Sequence, residues 1–153
     1  MGKYGRFALM IGCSTLLMYG LMYLNTYALA HVHFSQTRAW MALLMGAAMA
    51  IVMLGFMMGM YPRKVVNAAI LAGAALLFAL ALWLVRSQAT VDDAAYMRAM
   101  IPHHSIAIMT SERARIADPR VRKLADAIIA TQRREIAEME ALIADIEANG
   151  PRR

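Results

Sequence analysis

Three long apolar runs, Phe7 to Ala30, Trp40 to Tyr61 and Val65 to Val85, constrain what this chain can fold into more than any other feature. Each reaches the roughly 20 residues that a helix needs to cross the hydrocarbon core of a bilayer. All ten Asp and Glu lie from Asp92 onward, whereas Lys3, Arg6, Arg38, Arg63 and Lys64 are the only charges before Val85. A content of 61% hydrophobic and 17% charged residues departs from the soluble average in the same direction. The expected architecture is all-α: a three-helix transmembrane region over 1–86, with spans at about 7–30, 40–61 and 65–85, then a water-facing helical domain over 87–153. The first run is longer than the apolar core of a signal peptide, and no A-x-A-like site follows it.

Lys and Arg in short loops favour the cytoplasmic side. Lys3, Arg6, Arg63 and Lys64 outweigh Arg38, so the N-terminus is expected inside and the tail outside, in the periplasm or at the surface of a bacterial inner membrane. The loop "HVHFSQTR" falls on the tail's side, which places His31 and His33 with His103 and His104. A net charge of +6 is no nucleic-acid signature here, because the tail nearly balances its charges. The single Cys13 excludes an internal disulfide framework.

The tail reads as two helices. Thr90 and Asp93 resemble a capping box opening a helix toward Ala117, with Pro102 predicting a kink or short break just before the histidines. Asp118, Pro119 and the run Asn149-Gly150-Pro151 punctuate the second helix. Such a hairpin buries one seam only and needs a partner: pairing across a homo-oligomer into a four-helix bundle is expected, and docking against the membrane half is the other solution.

"MRAMIPHHSIAIM" carries the candidate chemistry. At ~100° per residue Met97, Met100 and His104 share a ~60° arc, and His103 points ~100° away unless the kink re-aims it. Thioethers and neutral imidazoles form a soft, uncharged donor set that suits Cu(I). Ordinary helix packing, with methionine filling gaps, is the alternative. On the second helix Gln132 and Glu135 lie on the apolar face formed by Val121, Leu124, Ala125, Ile128, Ile136, Met139, Leu142, Ile143 and Ile146. A carboxylate there needs a partner: a histidine, a metal, or an arginine such as Arg98 or Arg113.

Met41, Met45, Met49, Met53 and Met57 form one ridge of the second span, either a path for a soft ion or a packing surface. Tyr19, Tyr23 and Tyr27 form a row suited to packing or interfacial anchoring. His31 and His33 chelate together only if the segment between them is extended.

The two tail motifs, "MIPHHSIAIM" at 100–109 and "QRREIAEM" at 132–139, resemble the bacterial family called domain of unknown function 305. Its signature joins Met-Ile-Pro-His-His to Gln-x-x-Glu-Ile-x-x-Met, matching Met100, His103, His104, Met109, Gln132, Glu135 and Met139. The likeness covers residues 91–147, and the membrane half looks like a membrane-anchored branch of the family. The resemblance implies a ferritin-like helical bundle, copper binding and copper tolerance outside the cytoplasm; no established enzymatic activity comes with the family, so catalysis is not implied. Leu142 stands where relatives often carry an aromatic residue, and the motif pair occurs once rather than twice.

The expected function is a membrane-anchored copper(I)-binding protein that buffers, stores or hands on copper, without an organic cofactor. His103, His104, Met100 and Met109 are the expected primary ligands, Met97 and Met139 auxiliary ones, and Glu135 and Gln132 the outer shell, with His31 and His33 as further candidates. Lipid, a second copy and a copper donor or acceptor protein are the expected partners. The competing expectation is a non-catalytic structural or interaction protein.

Overall fold

The computed structural model describes residues 2–152. They form α1 (Lys3–Leu21), a 3-10 turn at Leu29–His31, α2 (Gln36–Phe56), a second 3-10 turn at Met58–Met60, α3 (Lys64–Ser87), α4 (Asp93–Arg113) and α5 (Pro119–Asn149). No strand occurs among the described residues, in agreement with the all-α expectation. The chain divides into two compact units. One draws on residues up to Met22 and on Thr37–Thr90, the other on Tyr23–Gln36 and on residues from Val91 onward.

In the first unit α1, α2 and α3 pack through Phe7, Ala50, Leu54, Tyr61 and Ala74. Small residues at every fourth position of α2, Ala42, Gly46 and Ala50, are buried and allow close approach. A Cβ at Gly46 would collide with Thr15 on α1. The methionine ridge lies beside this stripe, half-buried, and Met53 and Met57 pack against the core. At one end the Tyr4 hydroxyl donates to Asn67 Oδ1 (2.9 Å) and accepts from the Arg63 N–H (3.1 Å), and Lys3 donates to the Met60 carbonyl. Lys3 and Arg63 thus meet at the same end of this unit.

Among the described residues two helices, α2 and α3, are long and apolar enough to cross a membrane, rather than the three expected. The first apolar run fails because α1 ends at Leu21, well before Ala30, and carries Lys3 and Arg6 in its first turn. Beyond Leu21 the chain turns, with the Thr26 N–H donating to the Tyr23 carbonyl (3.1 Å). Tyr23 and Tyr27 therefore leave the helix that carries Tyr19, and the expected tyrosine row is not formed.

In the second unit α4 and α5 make the expected hairpin. Asp92, rather than Thr90, caps α4 by accepting from the Ala95 N–H (2.7 Å), and the helix stops at Arg113 instead of Ala117. It runs unbroken through the buried Pro102, so the expected break before the histidines does not occur. Met97, Ile101 and Ile108 interlock with Ile136 and Ile143 along the single seam. Asp118 caps α5 by accepting from the Arg120 N–H (2.8 Å), Pro119 opens the helix, and Gly150 ends it with φ 77°.

The Arg120 guanidinium, and then its backbone N–H, hold the Asp118 carboxyl below the usual carboxylate range. Because the folded value is the lower one, the stabilisation is complete above the unfolded pKa of about 3.9 and is lost as pH falls through the folded value. A carboxyl-carbon NMR titration is expected to give Asp118 a midpoint below about 3.9; a midpoint at or above it would show the cap absent in solution.

Candidate metal-binding groove

Between the first half of α4 and the second half of α5 lies a groove of about 800 Å³. Met97, Met100 and His104 enter it from α4, and Glu135 and Met139 from α5. An uninterrupted α4 keeps the ~100° step between adjacent residues, which is why His104 turns inward and His103 does not. His103 is exposed, its ring centroid 6.1 Å from that of His104 with the planes at 66°. Neither His103, Met109 nor Gln132 lines the groove.

His104 is held at both nitrogens. Nδ1 lies 2.9 Å from the Met100 carbonyl oxygen, and Nε2 lies 2.9 Å from Glu135 Oε2. A carbonyl only accepts, so the hydrogen of the first bond sits on Nδ1. Nε2 then faces the carboxylate either with a second hydrogen, forming an ion pair, or with its lone pair. In the second case two acceptors face one another, and a cation shared between them makes the arrangement favourable. Fixing Nδ1–H on a backbone carbonyl is also how proteins aim a ligating Nε2 at a metal.

Glu135 meets His104 rather than an arginine: Arg98 pairs with Glu147 instead. The Glu135 side chain is 40% exposed against 13% for His104, so the carboxylate opens into the groove while the imidazole stays sheltered. Asp93, Glu138 and Asp145 also line it, against Arg152, and give the opening a negative field that favours cations. Among the described residues no three His, Cys, Asp or Glu side chains gather, so any ligand set here depends on the thioethers.

The first loop supplies a contact that sequence reasoning missed. Ser105, fully buried on α4, accepts from the Tyr27 N–H (2.9 Å) and sits 2.9 Å from His31 Nδ1. With its oxygen accepting from Tyr27, the hydroxyl hydrogen is free for His31 Nδ1, which leaves only Nε2 of that ring for another ligand. Val32 is extended (φ −84°, ψ 97°), the geometry under which His31 and His33 share a side, and His33 Nε2 is buried without a hydrogen-bond partner among the described residues. The sequence signal was a small hydroxyl one residue past the histidine pair, on the flank of α4 turned away from the groove. Ser105→Ala would strand the Tyr27 N–H, a loss of about 1–3 kcal/mol. Faster amide exchange through residues 23–36 is the expected readout, and unchanged exchange would show that the loop docks by other contacts.

The comparisons with known proteins fall on this same segment. The family described as "Domain of unknown function (DUF305)" matches residues 92–151. These residues form a DUF305 domain. A curated relative, "Uncharacterized protein L153" of Acanthamoeba polyphaga mimivirus, is 46% identical over 61 residues, which cover 39% of this chain and 40% of that protein. The chain thus spans less than half the length of that relative. No solved structure matches. The DUF305 domain contains the His104–Glu135 pair, the seam beneath it and the groove but for Arg152, whereas the loop over Ser105 lies outside the matched residues.

Proposed function

We propose that the chain is a membrane-anchored, extracytoplasmic copper(I)-binding protein that buffers, stores or hands on copper. The observation that carries this reading is that His104, Met97, Met100 and Met139 line one groove, with His104 Nε2 held at Glu135. One imidazole and uncharged sulfurs suit a soft monovalent ion and suit Mg or Ca badly. Glu135, beside His104, balances the charge of the bound ion or accepts a hydrogen bond at the edge of the site. His103 and Met109, off the groove, stand outside this ligand set. The role is binding rather than catalysis, without an organic cofactor and without nucleic acid.

Localisation follows from the two apolar helices and the positive end of the first unit. With Arg63 and Lys64 cytoplasmic, α2 and α3 leave residues 23–35 and the DUF305 domain together on the outer side. That is the periplasm or cell surface for a bacterial inner membrane. Lipid, a second copy of the chain, and a protein that delivers or accepts copper are the partners this role requires.

One observation also fits a non-catalytic interaction protein: a 2.9 Å His104–Glu135 contact can lock two helices with a hydrogen alone. Metal analysis of the full chain purified without added metal, followed by competition with a Cu(I) chelator, separates the readings. Retained copper that resists the chelator supports the first; protein that neither retains nor competes for Cu(I) supports the second.

A further inference from the structure

We infer that the groove is the face through which two copies of this chain pair antiparallel, so that the metal site is shared between them. The inference rests on the copper reading only for the sharing of the site; the pairing stands on the surface itself.

Loop 23–36 covers the Ser105 side of α4. The opposite side stays open. Along it Tyr96, Met100, His104 and Ala107 fall within an ~80° arc of α4, and Leu124, Thr131, Glu135 and Leu142 within a ~40° arc of α5. Tyr96 is 55% exposed, Leu124 62% and Leu142 45%, so large apolar side chains stand in water at both ends of this strip.

Charge names the occupant and its direction. Where α4 begins and α5 finishes, Asp92, Asp93, Glu138, Glu140, Asp145 and Glu147 outnumber Arg98 and Arg152; near the turn five basic residues outnumber three acids over 112–126. Asp93 and Glu138, which line the groove at its acidic end, have no ion pair among the described residues, nor do Arg113, Arg115 and Lys123 near the turn. A second copy laid on the open face with its axis reversed sets each acidic end against a basic turn, whereas a parallel copy sets like against like.

Reversal about a two-fold axis across the helices places α5 over α5 of the other copy and Leu124 over its Leu142. The midpoint between those leucines is Arg133, about 3 Å along the axis from Glu135. The two His104–Glu135 pairs then flank the two-fold, and each groove is roofed by the other copy.

The test uses the full chain in a Cys13→Ser background, because the native thiol is free and exposed. Leu124→Cys and Leu142→Cys chains are mixed in detergent and treated with a short bismaleimide. A covalent dimer is expected from the mixture and from neither variant alone, since like positions lie about 27 Å apart along the axis. Equal cross-linking of a single variant, or none in the mixture, overturns the antiparallel pairing. Cross-linked dimer that retains no copper keeps the pairing and removes the shared metal site. Copper-binding protein that does not cross-link removes the pairing and keeps the copper reading.

Discussion

His104→Ala is expected to lower Cu(I) affinity by more than the ~10–100-fold typical of losing an outer partner of a metal ligand, whereas Glu135→Gln stays within that range. His103→Ala is expected to change affinity little. The asymmetry follows from the unbroken α4: His104 enters the groove, and its exposed neighbour does not. Competition with a Cu(I) chelator on each single variant of the full chain gives the answer, with thermal melting alongside to show that the fold survives. Equal losses for His103→Ala and His104→Ala would sink the ligand assignment, because they would require both rings at the ion.

Ile101→Ala is expected to show the reverse pattern, a large loss of stability from a residue with no donor atom. Ile101 is fully buried and sits among Met97, Ile108, Ile136 and Ile143. Removing most of such a side chain costs about 2–5 kcal/mol, the sum of lost transfer energy and the cavity left behind. Whole domains are stable by only about 5–15 kcal/mol, and this hairpin has one seam. Denaturant unfolding of the full chain, followed by a probe on α5, measures the effect. A loss below about 1 kcal/mol would mean that the seam closes over the gap and is not the main support of the hairpin.

Much of this is legible from residues whose physics is local. Asp118, Pro119 and Gly150 fix the limits of α5 wherever the helix sits, because capping depends on neighbouring backbone alone. The 100° step likewise puts Met97, Met100 and His104 on one face without any coordinates. Legibility fails where the outcome depends on distant partners. Pro102 predicts a kink or a short break, yet α4 runs without a break through the buried proline. The first apolar run predicts a span to Ala30, yet its last third turns out of helix and joins the tail's unit. Glu135 does take a partner, but composition does not choose between Arg98 and His104, since the choice depends on the register of α4 against α5.

The loop that covers Ser105 has a consequence for how the protein is made. Tyr27 leaves the ribosome 78 residues before the serine that receives its N–H. Domains usually form as their own segment emerges, but here the early strip of chain waits through the synthesis of α2 and α3 before its site of attachment exists. Closure of so long a loop delays the native contact and leaves the Tyr27 N–H and the His31 ring without their Ser105 partner in the meantime. Expression of residues 86–153 alone would escape that delay and lose the cover, with the Ser105 flank bare to solvent. The distal half of this gene product is therefore finished by a segment made long before it.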